Sequence, residues 1–222
     1  MYFFKILSKD LNHNDFQYKE GLNIDTVPFN PQGDCEPGGL YFTDKEHILD
    51  YIYYGTLIAD VLLPEDAKVY KSGNNWKADK IFLLDIRPIE DFVSTLAWRE
   101  ILKSVKQNGL ILRYVQLQTP KICLEAVKQY GHTLQFVKEQ TPEICLEAVK
   151  QDGHALRFVK KQTRELCLEA IRQSSDAFRY VKVPTPELYL EAERCNQNEI
   201  LTSEVENQNE LFLNKIEYLF NV

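Results

Sequence analysis

The amino-acid sequence of 222 residues predicts an α+β N-terminal domain followed by an all-α short solenoid of 22-residue helix–turn–helix repeats. A near-verbatim repetition predicts the solenoid, because QTPKICLEAVKQYGHTLQFVKEQT at 118–141 returns as QTPEICLEAVKQDGHALRFVKKQT at 140–163. Short apolar runs between Pro- and Gly-containing turns predict the α+β domain. We expect three parts: an α+β module over 1–90, a helical repeat domain over 91–200, and a C-terminal capping helix over 201–222.

The first 90 residues combine several strand signals with one clear helix signal. Thr43 can act as the N-cap of a helix over 43–55, with Glu46 in the capping-box position and Gly55 at its end. The segment RPIEDFVSTLA, 87–97, predicts a short helix that leads into the repeats. Strands are predicted at MYFFKIL (1–7), GGLYF (38–42), TLIADVLLP (56–64), AKVYK (67–71) and DKIFLLDI (79–86).

Each repeated unit carries its own helix start and stop signals. Thr141 is a favourable N-cap, and Pro142 suits the first helical position, where its missing N–H costs nothing. Glu143 places an acid in the first turn, as the helix dipole favours. Gly153 is expected to end this helix in a left-handed C-cap. HALRFVKKQ, 154–162, is long enough for a second, shorter helix.

The positions that recur between units are the caps and an apolar set. A degenerate copy over 97–118 opens the array, and a truncated copy begins at Thr185. The residues expected to face neighbouring helices are Ile144, Cys145, Ala148, Val149, Leu156, Phe158 and Val159. One unit cannot bury such a face alone, whereas a row of units can.

The C-terminal segment EVENQNELFLNKIEYLFNV, 204–222, has the pattern of an amphipathic helix. Its apolar members on one face are Leu211, Phe212, Ile216, Leu219 and Phe220. A solenoid needs its last face covered, so we expect this helix to act as a cap. A dimer contact is the alternative.

Units of the form TPEICLEAVKQDGHALRFVK, 141–160, resemble short helical repeats of unknown function found in amoeba-infecting giant viruses such as mimivirus. The opening stretch MYFFKILSKDLNHNDFQYKEGLNIDTVPFNPQGDCEPGGLYFTDKEHILDYI, 1–52, with the later WKADKI, 76–81, is similar to a module that precedes ankyrin repeats in those viruses. The resemblances imply an origin and an architecture. They imply no known reaction.

Composition favours an intracellular protein. MYFFKIL has no basic leading region, so no signal peptide is expected, and no apolar run approaches the ~20 residues of a membrane helix. The spacing of Cys123, Cys145 and Cys167 implies separations of about 10 Å in stacked helices, beyond the ~7 Å limit for a disulfide. We expect buried thiols in the reducing host cytoplasm, with the virion as a second location.

The net charge of −7 is unevenly distributed. Residues 1–96 carry −7, residues 97–184 carry +6, and residues 185–222 carry −6. The bases expected to bind a partner share two offsets: Lys106, Lys128, Lys150 and Arg172 form a first row, and Lys138, Lys160 and Lys182 form a second row. These rows favour an acidic protein partner, with nucleic acid as a second possibility. The alternative is a solvated helix face, partly neutralised by Glu125, Glu147 and Glu169.

An enzymatic alternative concerns the α+β module. GGLYFTD, 38–44, resembles the Gly-x-Tyr-Phe segment of ADP-ribosyltransferases, in which a tyrosine stacks on nicotinamide and a histidine and a glutamate complete the site. The resemblance implies that role for Tyr41, but His13 lies in NHND rather than in a His-Gly pair, and no glutamate is marked by its context. Tyr41 and Phe42 are otherwise ordinary strand residues. A cavity joining Tyr41 to His13 or a glutamate would favour the enzyme.

No motif predicts a cofactor or a metal. His132 and His154 share one repeat offset and are expected to be solvent-facing turn residues rather than ligands. The sequence therefore predicts a non-catalytic scaffold or adaptor that binds a host or viral protein through its helical repeats. An ADP-ribosyltransferase-like enzyme whose repeats select the target is the alternative. No membrane partner is expected, and the oligomeric state is left open.

Overall fold

The chain divides into two compact units, Met1–Gln116 and Leu117–Val222. The computed structural model describes residues 2–13, 16–32 and 36–200, and it describes 197–200 by their backbone alone.

A sheet-rich N-terminal region followed by a helical region is confirmed. The predicted domain limits at residues 90 and 200 stay predictions. The predicted capping helix over 201–222 lies outside the described residues.

The first unit is built on an antiparallel sheet. Its strands are β1 (Phe3–Leu7), β2 (Asn12–His13), β3 (Phe16–Gln17), β4 (Gly21–Ile24), β5 (Leu40–Asp44), β6 (Leu57–Leu62), β7 (Val69–Ser72), β8 (Asn75–Ala78) and β9 (Lys80–Pro88). Among the described residues, seven strands pair in the order β4-β9-β6-β1-β5-β8-β7, and β2 pairs with β3 separately. β1 therefore lies at the centre of the sheet.

All five strands expected from apolar runs are present as β1, β5, β6, β7 and β9. The sequence analysis missed the two-residue strands β2 and β3, and also β4 and β8, whose sequences GLNI and NWKA are short and partly polar. β8 is nevertheless held on both sides, by β5 and by β7. Pairing with neighbours, rather than intrinsic strand propensity, determines such segments.

The predicted helix start at Thr43 is wrong. Thr43 belongs to β5, where its buried hydroxyl donates a hydrogen bond of 2.5 Å to the carbonyl of Asn74. The helix that follows is a 3₁₀ helix, Ile48–Tyr54, which ends before Gly55 as expected. The side chain of Asp44 accepts hydrogen bonds from the amides of Glu46 and His47 ahead of this helix. The sheet therefore extends further than the capping motif predicts.

Both faces of the sheet are covered by apolar side chains. A buried cluster on one face consists of Leu7, Tyr18, Leu40, Phe42, Ala59, Val61, Ala78, Ile81 and Leu83. Phe4 contacts Phe92 at 5.1 Å between ring centroids, and Ile48, Leu49 and Ile52 bury one side of the 3₁₀ helix. Burial of this apolar surface is the main stabilising term for the unit.

Helices follow the sheet. The first unit ends with α1 (Ile89–Ser94), α2 (Trp98–Gln107) and the 3₁₀ helix Gly109–Tyr114. The second unit contains α3 (Pro120–Gln129), α4 (Pro142–Gln151), α5 (Arg164–Gln173) and α6 (Pro186–Ile200). The first three of these are each followed by a 3₁₀ helix, at Gly131–Phe136, Gly153–Phe158 and Ser175–Tyr180. The short second helix predicted at 154–162 is therefore confirmed as 3₁₀.

The predicted N-caps of the second unit are confirmed. The Thr141 hydroxyl accepts from the amide of Ile144 at 3.3 Å, and Pro142 occupies the first helical turn. Thr119 and Thr163 cap α3 and α5 in the same way. Such caps contribute about 1 kcal/mol each, because they satisfy amides that have no partner within the helix.

The predicted left-handed C-cap at Gly153 is wrong. α4 ends at Gln151, its C-cap residue Asp152 has an extended backbone, and Gly153 is the first residue of the next 3₁₀ helix and has no positive φ. A Cβ atom on Gly153 would lie 2.5 Å from the carbonyl oxygen of Ala170, on the following helix α5. Glycine is needed here for close approach of two backbones.

Replacing Gly153 by alanine is expected to lower the free energy of unfolding by roughly 1.5 kcal/mol, because the methyl group has to displace the backbone of α5. Denaturant unfolding followed by circular dichroism measures the change. Ser175 begins the next 3₁₀ helix and already has a Cβ atom, so Ser175→Ala is the matched control. A Gly153→Ala protein as stable as the natural chain would disprove the close-approach explanation.

Consecutive helices of the second unit pack on one another, α3 on α4, α4 on α5 and α5 on α6. The predicted apolar set is buried with one exception: Ile144, Cys145, Ala148, Val149, Leu156 and Val159 are at most 4% exposed. Phe158 is half-buried instead. Cys123, Cys145 and Cys167 are buried free thiols, as expected, and burial raises the pKa of each.

A glutamine ahead of each N-cap threonine joins neighbouring helix pairs. The Gln140 side chain donates to the carbonyl of Phe158 at 2.9 Å and accepts from the amide of Lys160 at 2.9 Å. Gln118 makes the same two contacts with Phe136 and Lys138, and Gln162 makes them with Tyr180 and Lys182. We call Gln118, Gln140 and Gln162 the glutamine bridges.

Among the described residues, no helix has both the length and the apolar character needed to cross a membrane.

Candidate functional site

The first row of predicted binding residues occupies equivalent places at the ends of helices. Lys106, Lys128, Lys150 and Arg172 lie in the last turns of α2, α3, α4 and α5, and all four are exposed. A cation in that position interacts favourably with the helix dipole. These bases therefore also have a local stabilising role. Lys106 belongs to the first unit, whereas the other three lie on successive helices of the second.

Part of this row is engaged in ion pairs. Arg172 donates to Glu191 of α6 at 2.7 Å, and Lys150 lies 3.9 Å from Glu147 on its own helix. Hydrogen bonds from Arg194 and Arg172 lower the pKa of Glu191 to about 2. Within the described residues, no ion pair involves Lys128. The positive charge available to a partner is therefore greater at the α3 end of the row.

The second row has a different local environment. The Lys160 ammonium donates to the carbonyl of Lys138 at 2.9 Å, and the Lys182 ammonium donates to the carbonyls of Val159 and Lys160 at 2.8 and 3.1 Å. The backbone amides of all three lysines also bond to the glutamine bridges. The side chains of Lys160 and Lys182 therefore link neighbouring helix pairs, although these lysines are exposed.

The two repeat histidines share one carboxylate. Nδ1 of His132 lies 2.5 Å from Asp152, and Nδ1 of His154 lies 3.2 Å from the same carboxyl group. Their rings contact Phe158 and Tyr180 edge-on. These histidines are partly exposed, as expected of turn residues, but they also bridge neighbouring 3₁₀ helices. No cluster among the described residues has the composition and geometry of a metal site.

Arginine–aromatic contacts are a feature that the sequence analysis missed. The guanidinium of Arg157 lies 4.5 Å from the ring centroid of Phe158 and 5.9 Å from that of Tyr180, and Arg179 lies 5.7 Å from Tyr180. Both arginines are exposed. The dipeptides Arg-Phe at 157–158 and Arg-Tyr at 179–180, which share one repeat offset, are the signal in the sequence that could have predicted these contacts.

The first unit contains a cavity of about 230 Å³ beside the 3₁₀ helix Ile48–Tyr54. The cavity joins Tyr41 of β5 with His13 of β2, and Tyr51 and Tyr54 complete an aromatic wall. The ring of His13 contacts that of Tyr54 at 5.2 Å. Burial, together with the charge of Lys5, lowers the pKa of His13. The pairing of Tyr41 with His13 that would favour an enzyme is therefore present.

No carboxylate is found among the described residues that line this cavity. The Tyr41 hydroxyl donates at 3.1 Å to the backbone carbonyl of Glu36. Of the three groups that the resemblance to ADP-ribosyltransferases implies, the tyrosine (Tyr41) and the histidine (His13) line the same cavity. The lining has instead a lysine, Lys5 of β1.

Comparison with known proteins gives similarity over part of the chain. Residues 119–162 and 141–183 each match the family described as "Domain of unknown function (DUF4116)". A protein of Acanthamoeba polyphaga mimivirus named for ankyrin repeats is 38% identical over 109 residues, which cover 40% of this chain and 36% of that relative. A second mimivirus protein named for ankyrin repeats is 38% identical over 96 residues, covering 40% of this chain and 48% of the relative.

A third mimivirus protein, named as uncharacterized, is 41% identical over 71 residues, covering 31% of this chain and 51% of that protein. The chain thus spans about a third to a half of the length of these three relatives. No solved structure gives a significant match. The chain is therefore similar to giant-virus proteins, several of them named for ankyrin repeats, and its residues 119–183 match a domain of unknown function in two overlapping copies.

Proposed function

We propose that this chain is a non-catalytic interaction protein of a giant virus, a scaffold or adaptor that binds a host or viral protein through its helical repeats. The observation that carries the proposal is the row of exposed bases on consecutive, mutually packed helices, Lys128, Lys150 and Arg172. A charge pattern spread over several helices suits a macromolecular partner better than a small substrate. An acidic protein surface is the complementary partner.

The proposal includes a short solenoid with a period of 22 residues. In support, α3, α4, α5 and α6 begin at residues 120, 142, 164 and 186. The two family matches are displaced by the same step, since they begin at 119 and 141. Repeated helix pairs that contact their neighbours in order create extended surfaces, and such surfaces serve binding. The names of the similar mimivirus proteins, which refer to ankyrin repeats, agree with an interaction role.

The test is neutralisation of the first row. Replacing Lys106, Lys128, Lys150 and Arg172 by glutamine is expected to weaken capture of the partner at least about tenfold, because complementary charge is lost. Glutamine is preferred to glutamate, since an acid in the last helical turn would oppose the helix dipole. The measurement is quantitative capture from lysates of virus-infected amoebae with the natural and substituted chains. Binding of the natural chain should also decrease as salt rises.

The matched control changes four lysines of the first unit, which are also exposed: Lys9, Lys19, Lys68 and Lys71. The control should capture the same proteins as the natural chain. If neutralising the first row leaves capture unchanged, the row is only a solvated face. The partner surface would then lie elsewhere, and the proposed role of Lys138, Lys160 and Lys182 could be tested by the same substitutions.

A second candidate function is an ADP-ribosyltransferase-like activity of the first unit, favoured by the cavity that joins Tyr41 to His13. In this activity the first unit would transfer ADP-ribose from NAD to a target protein. Labelled NAD and amoebal lysate provide the assay, with Tyr41→Ala as the variant. Labelling that does not depend on Tyr41 would exclude this site as its source.

A further inference from the structure

Lys5 is an unusual residue in the middle of the central strand. It is 5% exposed, although lysine is almost never fully buried unless it is paired with an acid. Within the described residues, no ion pair involves Lys5. Its side chain occupies space that a hydrophobic residue could fill at lower cost. A buried amine without a counter-charge calls for an explanation.

The contacts of Lys5 hold its amine in one place. Nζ donates to the backbone carbonyl of Tyr41 at 2.7 Å and lies 4.5 Å from the ring centroid of Tyr18. The residue pairs between β1 and β5 are Phe3 with Asp44 and Phe4 with Thr43. Past these pairs, the Lys5 side chain provides a hydrogen bond between the two strands. Its amine is therefore fixed beside Tyr41, which also lines the cavity.

Burial changes the chemistry of this amine. It lowers the pKa of Lys5 to about 7, so roughly half of the Lys5 amines are neutral at pH 7. An ordinary lysine is neutral in only about one molecule in 3,000 at that pH. Only the neutral amine has a lone pair for attack, and lysines desolvated in apolar pockets react in this way. Lys5 therefore has the nucleophilic form available without an added base.

The cavity beside Lys5 fits a small molecule with an apolar body. Its volume of about 230 Å³ is well above the ~10–15 Å³ that a single water molecule requires, so the cavity has room for a small organic molecule. Phe4, Ile6 and Ile48 supply apolar walls, while His13 and Asn75 supply polar groups. A lining of this kind, mostly apolar with a few polar groups, is typical of small-molecule sites.

We propose that Lys5 captures a small aldehyde or ketone in this cavity as a Schiff base. The Lys5 nitrogen forms a bond to the carbonyl carbon as the carbon–oxygen π bond breaks, and one proton passes from the nitrogen to the oxygen to give a neutral carbinolamine. The second nitrogen proton then passes to the hydroxyl group, which leaves as water, and a carbon–nitrogen double bond remains. No oxidant or reductant takes part. This inference is independent of the proposed binding function of the helical repeats.

Other titratable groups surround this step. His13 lines the same cavity and responds to the charge of Lys5, so its imidazole is placed to exchange protons during loss of water. Burial raises the pKa of Tyr18, which therefore stays neutral near the amine. Tyr41 contacts two lysines. Its carbonyl accepts from Lys5, and its hydroxyl lies 3.5 Å from Nζ of Lys77. The described neighbours of the Lys5 amine thus include aromatic rings and a carbonyl, and no acid.

The test is reductive trapping in the full-length chain. Benzaldehyde is the probe, sodium cyanoborohydride reduces the imine, and peptide mass spectrometry locates the product. At pH 7 we expect Lys5 to be labelled at least about a hundredfold faster than exposed Lys9, because burial leaves much of the Lys5 amine neutral. The rate at Lys5 should level off above pH 7, whereas that of an ordinary lysine in a model peptide rises until about pH 10.

Two comparisons make the outcome decisive. Lys77 of β8 is 1% exposed but does not line this cavity, so it is a control for burial within the same molecule. Equal labelling of Lys5 and Lys77, or labelling of Lys5 no faster than Lys9, would each overturn the proposal. A Lys5→Met chain should lose the fast product, but the natural chain alone decides the test.

Discussion

Replacing Gln140 by alanine is expected to lower the free energy of unfolding of the second unit by about 2 to 3 kcal/mol. The substitution removes the hydrogen bond to the Phe158 carbonyl and the one from the Lys160 amide, which both join neighbouring helix pairs. It also removes the acceptor of the Cys145 thiol, 3.8 Å away. Backbone groups left without a partner cost about 1 to 3 kcal/mol each when they are buried. Denaturant unfolding monitored by far-ultraviolet circular dichroism measures the change.

The matched control is Gln135→Ala. Gln135 is an exposed glutamine of the neighbouring 3₁₀ helix, and its side chain bonds only locally, to the carbonyl of His132 at 3.1 Å. The control should change stability by less than about 0.5 kcal/mol, as exposed substitutions usually do. If the two variants are equally stable, the glutamine bridges do not hold the helix pairs together.

Raising the pH from 7 to 9 is expected to increase the free energy of unfolding of the first unit by about 2 kcal/mol. Burial lowers the pKa of Lys5 from 10.5 to about 7, so the unfolded chain binds more protons than the folded chain between these values. Stability rises with pH wherever the unfolded state binds more protons. The contribution of the neutral Lys5 amine to the free energy of unfolding is fully present above pH 10.5 and is lost as the pH falls through about 7.

The measurement uses tryptophan fluorescence, since Trp76 and Trp98 both belong to the first unit. The range ends at pH 9 because buried Tyr18 adds a second pH dependence above it. Burial raises the pKa of the Tyr18 hydroxyl, so the stability contributed by the neutral hydroxyl is lost as the pH rises above 10.0, the ordinary pKa of tyrosine. Lys5→Met should remove the pH dependence, while Lys9→Met, at an exposed position, should keep it. A natural chain with no rise in stability over this range would show that the Lys5 amine titrates normally.

Much of the fold could be predicted from local patterns. Thr141 and Pro142 mark the start of α4 because a cap depends on residues within one turn. Ile144 and Val149 repeat at helical spacing and are fully buried. Five of the strands follow from apolar runs in the same way.

The errors occurred where distant residues decide. Thr43 has the composition of an N-cap but lies in β5, because its partner is Asn74 across the sheet. Gly153 has the position of a C-cap, but it is required by the carbonyl of Ala170 on the next helix. In both cases the local pattern was typical of a helix end, but a contact with a residue distant in sequence determines where the residue lies.

The candidate sites divide in the same way. The offsets of Lys128, Lys150 and Arg172 could be found by inspection, and the structure places them on successive helices. The engagement of Lys160 and Lys182 with backbone carbonyls could not be found, since their acceptors lie 22 or 23 residues earlier in the chain. Nothing in the order of residues distinguishes an exposed ammonium from one bound to a carbonyl.

By itself, the sequence determined the class of each half of this protein, the caps of its helices and the faces that become buried. These depend on propensities and periodicities over a few residues. Only the tertiary structure decided that Lys5 is buried, that its amine meets the carbonyl of Tyr41 36 residues away, and that His13 and Tyr41 share a cavity. The physical reason is that burial and hydrogen bonding depend on which strands become neighbours, and strand pairing is set by the packing of the whole sheet.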